Sequence, residues 1–399
     1  MELTALTKVI LWGFSVAVIL GAVVNKTNFC TMGGVSDWVN MGNTGRLSSW
    51  FLAIAIATTG VLILESSGTA SVASSFPPYR TPNFAWLRYL LGGVMFGIGM
   101  TLASGCANKN LVNLGNGNLK SLFVILVTGV MAYLMTKTKF YEVVFYNWMN
   151  PLTIDLAKYD ISSQSVADIF TGITGIENLD VYVGGFLATV ILIFIIRNKY
   201  FMSNIKNILS GLIVGLAIVA GWYITGAELG QLALDDVSWM DVRPPAVGVQ
   251  SYTFVNPMGD LLVFLASPTN LMLVTFGVAS LFGVVVGSLV MSLINGSFKI
   301  VWFTSVGDFI KHFIGAILMG VGGVLAMGCT LGQGVTGVST LALGSFIALF
   351  SIILGCATTI KVQYYKMMYE EEATFMKALL SSLVDFRLLP KGMRKLDPV

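Results

Sequence analysis

Gly92-Gly93-Val94-Met95-Phe96-Gly97-Ile98-Gly99-Met100-Thr101-Leu102-Ala103-Ser104-Gly105-Cys106 recurs, 223 residues on, as Gly315-Ala316-Ile317-Leu318-Met319-Gly320-Val321-Gly322-Gly323-Val324-Leu325-Ala326-Met327-Gly328-Cys329. The shared pattern is G-x4-G-x-G-x2-L-A-x-G-C. Glycine at this density has an ordinary explanation inside membrane spans, where small residues let helix backbones approach closely. That explanation does not reach the cysteine at the same place in both copies, because four cysteines in 399 residues rarely coincide. The pair therefore marks an internal repeat.

The composition around the repeat says membrane. Hydrophobic residues make up 55% of the chain and charged residues 11%, with a mean hydropathy of +0.81. A soluble protein carries about 25% charged residues. Twelve of the 43 charges sit in the last 39 residues, which leaves 31 for the first 360. The net charge of +3 and the lack of a basic, aromatic-interleaved face exclude a nucleic-acid role. A single histidine, His312, excludes H-E-x-x-H metal chemistry and leaves one residue for any Ser-His-Asp triad.

Apolar runs of about 20 residues, the length needed to cross roughly 30 Å of hydrocarbon, predict nine spans. They lie near 6–24, 49–66, 86–104, 120–136, 181–196, 207–226, 271–294, 310–327 and 341–360. The first lacks the basic leader and small-residue cleavage site of a signal peptide, and reads as a retained helix. The loop from Arg197 to Lys206 is basic, as is much of the tail (Lys361, Lys366, Lys377, Arg387, Lys391, Arg394, Lys395), so both belong on the cytoplasmic side. The alternate loops carry Glu142, Asp155, Asp160, Asp168, Glu177 and Asp180, or Glu228, Asp235, Asp236, Asp241 and Asp260. An N-terminus outside and a C-terminus in the cytoplasm satisfy all of these. With that orientation the two repeat copies run in opposite directions, a construction used by secondary transporters whose sites lie near the midplane. Residues 137–180 read as an interfacial segment, 227–270 as an exposed loop, and the tail, with Glu370-Glu371-Glu372, as a solvated extension.

The expected fold is thus an all-α polytopic membrane protein. Residues 1–362 form one transport domain, with repeat one at about 5–136, repeat two at about 271–362 and polar insertions at 137–180 and 227–270; residues 363–399 form a cytoplasmic tail. After Cys106 and after Cys329 come about a dozen residues rich in Gly, Asn and Gln, too short and too polar for a further span. Two readings stand for them, surface turns or re-entrant loops, and backbone of this kind is tolerated at membrane depth where protein buries it or it lines a wet cavity. We take the second.

Cys30 lies in a third polar break, Asn25 to Gly34, while Cys356 sits in an apolar run with Tyr133 as its repeat counterpart and reads as core packing. Cys30, Cys106 and Cys329, each where an apolar run meets a polar stretch, are the candidate substrate-binding residues. Asn108, Lys109, Asn110 and Gln333, from the same stretches, are candidate supporting residues. Lys109 either adds a charge near one mouth or snorkels at the surface. No C-x2-C or cysteine-histidine cluster points to zinc, and no cofactor is expected. A thiol is a weak donor and a soft acceptor, suited to a sulfur-bearing anion more than to hard phosphate or carboxylate.

Asn28-Phe29-Cys30-Thr31-Met32-Gly33-Gly34, Gly105-Cys106-Ala107-Asn108-Lys109-Asn110-Leu111-Val112 with Gly117-Asn118-Leu119, and Met327-Gly328-Cys329-Thr330-Leu331-Gly332-Gln333-Gly334 followed by Ser339 to Ser345 resemble the YeeE/YedE membrane family, most closely its thiosulfate-uptake branch. The resemblance covers roughly residues 5–365. It implies a bacterial inner-membrane transporter of nine spans, hourglass in shape. In that branch three cysteines contact thiosulfate in turn through S–H···S hydrogen bonds, and Cys30, Cys106 and Cys329 occupy the matching positions. The partners it implies are thiosulfate and the lipid bilayer, with a cytoplasmic sulfur-carrier protein as a candidate. Two other functions fit the residues: transport of another sulfur or selenium species, and a membrane sulfurtransferase that carries sulfane sulfur as a cysteine persulfide.

Overall fold

The computed structural model describes residues 4–176, 179–240, 243–370 and 372–397. Glu177, Asp241 and Glu371, which entered the charge pattern above, lie outside the described residues. The chain is an all-α polytopic membrane protein. Its sheet content among the described residues is one two-residue antiparallel pair, β1 (Asn83–Phe84) with β2 (Ile154–Asp155), which ties segment 137–180 to the loop before the first repeat copy.

The N-terminal part consists of α1 (Ala5–Thr27), α2 (Thr31–Met41), α3 (Gly45–Ser66), α4 (Trp86–Leu102), α5 (Ala107–Gly115) and α6 (Leu119–Lys137). After α7 (Val166–Thr174) and α8 (Asp180–Ile196) come α9 (Ile205–Gly226), α10 (Glu228–Ser238) and α11 (Val255–Ala266). The remainder is α12 (Phe276–Ile294), α13 (Val306–Leu325), α14 (Leu343–Tyr369) and α15 (Phe375–Asp385). Among the described residues, eight helical segments are long and apolar enough to cross a membrane, with α1–α2 and α4–α5 each counted as one. The ninth expected span, 181–196, forms α8, apolar but 17 residues long, about the shortest length that crosses hydrocarbon.

The glycine pattern explains the centre. A Cβ added at Gly92 would lie 2.5 Å from the Ala326 nitrogen, and one at the equivalent Gly315 would lie 2.7 Å from the Ala103 nitrogen. At Gly99 it would meet the Gly315 carbonyl oxygen at 2.7 Å, and at Gly322 the Gly92 carbonyl oxygen at 2.7 Å. Contacts thus exchange under the 223-residue offset, and the early part of α4 meets the late part of α13. The two copies cross antiparallel about a local two-fold, backbone against backbone. The next layer repeats the exchange, since α4 packs on α14 and α13 packs on α6. Farther out α1 packs along α12 and α9 along α3.

Four expectations need correction. The polar stretches after Cys106 and Cys329 are short helices rather than loops: α5 after the first, and residues 330–339 after the second, the latter wound in wider π-type turns over Gly332–Gly337. A helix satisfies its own backbone groups, which an irregular loop at this depth does not. Residues 248–258 are not an exposed loop. Val249, Tyr252, Phe254 and Val255 are at most 3% exposed, and the extended backbone is held by Gln250 N to Thr225 Oγ1 (2.9 Å), Ser251 Oγ to the Ile218 carbonyl (2.8 Å) and Tyr252 OH to the Gly13 carbonyl (2.8 Å). Segment 137–180 leaves the periphery at Ser163-Gln164-Ser165, where Gln164 receives the Leu343 N–H at 2.9 Å and donates Nε2 to Tyr89 OH at 3.0 Å. The tail is not simply solvated, because α15 packs against α14 through buried Ala378, Ser381 and Ser382.

Candidate functional site

Each candidate cysteine caps the N-terminus of a short helix. Cys30 precedes α2, and its sulfur accepts the Gly33 N–H at 3.4 Å. Cys329 precedes the helix at 330–339, and its sulfur accepts the Gly332 N–H at 3.3 Å. Cys106 caps α5, and the Lys109 N–H faces its sulfur without closing to full hydrogen-bond geometry. The third residue after the cysteine supplies the N–H in all three cases. Side-chain acceptors at this position ordinarily come from Ser, Thr, Asp or Asn. Here a thiol takes the place, beside the positive end of a helix dipole.

The three thiols share one neighbourhood, with Cys106 linked to both of the others. Cys106 interacts electrostatically with Cys30 and with Cys329, and its sulfur is within hydrogen-bond reach of the Thr330 side chain, one residue past Cys329. Cys30 is half-buried, Cys106 and Cys329 are buried, and all are free thiols. At Cys329 the N–H groups of Phe254 and Leu331 also face the sulfur, so the buried segment 249–254 completes its surroundings. Cys356 also interacts electrostatically with Cys30 and Cys106, and is set apart by lying inside α14 rather than at a helix N-terminus. It is fully buried and receives the Thr101 hydroxyl at 3.3 Å.

The supporting candidates divide. Asn110 and Gln333 are equivalent under the repeat, and both latch the turn they follow: Asn110 Nδ2 donates to the Gly105 carbonyl at 2.8 Å, and Gln333 Nε2 donates to the Ala326 carbonyl. These are structural bonds. Asn108 is 4% exposed and its Oδ1 has no partner among the described residues. Because amide oxygen and nitrogen are interchangeable by a flip, Asn108 offers either an acceptor or a donor at that partnerless position. Lys109 sends its ammonium to Asn28 Oδ1 at 3.4 Å, at the surface, so its backbone rather than its charge meets Cys106.

Several residues that the sequence reading passed over hold the site. Tyr79 OH donates to the Gly332 carbonyl at 2.8 Å; burial raises this phenol well above its ordinary value, which keeps the proton on it. Arg80 makes a two-pronged pair with Glu65 (2.9 and 3.0 Å) while its Nε donates to the Thr340 carbonyl at 2.8 Å. Arg46 pairs with Asp37 through Nε and NH2, and lies over Gly33 beside Cys30. Trp50 leaves no room for a side chain at Gly334. The available signal for the ion pairs was the scarcity of charge: each such residue in the first 360 asks for a partner. Nothing in the sequence announces Tyr79.

A model of the sulphur-transport family matches residues 26–358. The chain is 25% identical over 363 residues to the thiosulfate transporter TsuA of Escherichia coli K12, covering 90% of this chain and 95% of that one. It is 27% identical over 272 residues to the thiosulfate transporter TsuA of Spirochaeta thermophila, covering 67% of this chain and 74% of that one. Three helix-capping thiols, two of them at matching places in an antiparallel repeat, accompany a family match over most of the length, and the chain belongs to the sulphur-transport family.

Proposed function

We propose that this protein takes up thiosulfate into the cytoplasm, passing it along Cys30, Cys106 and Cys329. The observation that carries the reading is the set of three free thiols, each at a helix N-terminus. A helix N-terminus carries about half a positive charge, so the three supply roughly +1.5 elementary charges toward a dianion. A full cation at the bilayer centre costs about 2.5–3.5 kcal/mol on insertion scales, and it would hold the substrate rather than release it. Where the sulfur accepts a backbone N–H, its own S–H remains free to donate, and the terminal sulfur of thiosulfate is the soft acceptor it suits. The role is transport, with no catalytic step.

The same reading places the protein in the bacterial inner membrane, with its N-terminus outside and its C-terminus in the cytoplasm, and treats 1–362 as the transport unit. A cytoplasmic sulfur-carrier protein would then meet the substrate on the tail side.

Uptake of labelled thiosulfate into cells expressing the chain is the direct test. Replacing Cys30, Cys106 and Cys329 together with alanine is expected to abolish uptake, and a triple variant at wild-type rate would end the relay idea. Competition that favours selenite or sulfite over thiosulfate would reassign the cargo. A persulfide on Cys106 after thiosulfate exposure, found by mass spectrometry, would support sulfur transfer instead.

A further inference from the structure

A cavity of about 940 Å³ at one end of the α4–α13 crossing is lined by Ser104, Lys311, His312, Thr358 and Lys366 among others. At the opposite end two adjoining cavities of about 350 and 370 Å³ share Pro78, Arg88, Tyr141 and Met327. Subtracting the repeat offset of 223 takes Lys311 to Arg88 and Met327 to Ser104. The two vestibules are therefore counterparts, each with a cation at the same place. Ser104 and Met327 both have left-handed backbones (φ 57° and 63°) and stand two residues before Cys106 and Cys329. Each vestibule thus reaches the approach to one buried cysteine.

The neighbouring carboxylates Asp308 and Asp260 are paired. Asp308 binds Lys120 at 2.6 Å and His312 Nδ1 at 3.1 Å, and Lys137 binds Asp260 at 3.0 Å. Lys366, a second cation lining the larger cavity, stands 5.9 Å over the Phe375 ring on the outer helix α14, away from the α4–α13 pair. Among the described residues neither Arg88 nor Lys311 has a carboxylate partner. Arg88 lies 5.0 Å over the Tyr141 ring, and its buried Nε has no acceptor. Arg88 is half-buried and Lys311 exposed beside these cavities, and an unpaired cation beside a cavity raises the local concentration of anions there.

We propose that Arg88 and Lys311 are the paired anion-gathering charges of the two vestibules, each setting capture of the transported anion from its own side. This rests on the anion-transport reading above, and vestibule charge is therefore measured apart from transport. In Met327→Cys and Ser104→Cys reporters, the ratio of modification rates by an anionic and a cationic methanethiosulfonate reagent reads the local potential, after subtraction of the parent's own cysteines. Arg88→Gln is expected to lower that ratio several-fold at position 327 and leave it at 104. Lys311→Gln does the reverse, and Arg88→Lys restores it. At about 1 M salt, where screening acts within roughly 3 Å, the differences collapse. In flux assays Arg88→Gln raises the half-saturating thiosulfate concentration several-fold for entry from its side, with a much smaller change in maximal rate. Unchanged ratios at both reporters would assign the cations to lipid phosphates and overturn the proposal, as would flux with unaltered half-saturation. If the ratios shift as stated and the wild type carries no thiosulfate, the charge assignment stands and the cargo reading falls.

Discussion

At the scale of the residue, four cysteines separate into two chemistries by what precedes a helix and what lies within one. Cys30, Cys106 and Cys329 are cap residues whose sulfurs face backbone N–H groups; Cys356 sits inside α14. Cys356→Ala is expected to keep uptake near the wild-type rate while costing about 1 kcal/mol of stability for the small cavity left. Cys106→Ala, by contrast, removes the middle thiol and should lower uptake at least about tenfold, the scale of one lost charge-assisted hydrogen bond of about 1.5–3 kcal/mol. Uptake rates and melting temperatures of the two purified variants distinguish these outcomes. The three cysteines were visible in the sequence because cysteine is rare and the repeat aligned two of them. Their role as caps was not, because a cap exists only once the following polar residues are known to be helical.

At the scale of the element, the crossing of α4 and α13 rests on glycines whose missing side chains are filled by backbone. Gly99→Leu and Gly322→Leu are expected to destabilise by a similar amount, at or above the roughly 1–3 kcal/mol of ordinary overpacking. Gly185→Leu on α8, where nothing lies within 4 Å, should cost little. Thermal unfolding of the detergent-solubilised variants reads all three. The short helix α5 is held by a clasp: Asn25 Nδ2 donates to the Ser288 carbonyl at 2.9 Å and to Ser288 Oγ at 2.7 Å, and Ser288 Oγ donates to the Val112 carbonyl at 2.6 Å. Ser288→Ala removes two side-chain hydrogen bonds but leaves Asn25 Nδ2 its bonds to the Ser288 carbonyl and Asn116 Oδ1 and the Val112 carbonyl its bond from Asn116 N, so it should cost about 0.5–1.5 kcal/mol for each bond lost. The equivalence of α4 and α13 followed from pattern alone. The clasp joins residues 263 apart in sequence, and no local pattern marks such a pair.

At the scale of the whole molecule, the tail is tied back by one carboxylate. Asp385 accepts from Tyr365 OH at 2.7 Å and Arg394 at 2.5 Å, with Lys361 at 3.7 Å. Asp385→Ala is expected to release α15, so that trypsin cuts within 387–395 at least about fivefold faster, since cleavage follows local opening. Protection equal to the wild type would show that apolar packing suffices. Reporter fusions at the two ends test the orientation: activity of a cytoplasmic reporter at the C-terminus and of an external one at the N-terminus is expected.

The sequence by itself determined the membrane class, the repeat and its cysteines, because hydropathy, small-residue spacing and a rare residue are each written locally along the chain. It also fixed the helical spans where apolar runs are long, and left α8 at the margin of length. The tertiary structure decided what the polar stretches become. Residues 107–115, 163–165, 248–258 and 330–339 are polar or mixed by composition, and their burial depends on partners 75 to 253 residues away that satisfy their hydrogen bonds. Burial of a polar segment is a property of what closes around it, and that is settled only when the two halves of the repeat meet.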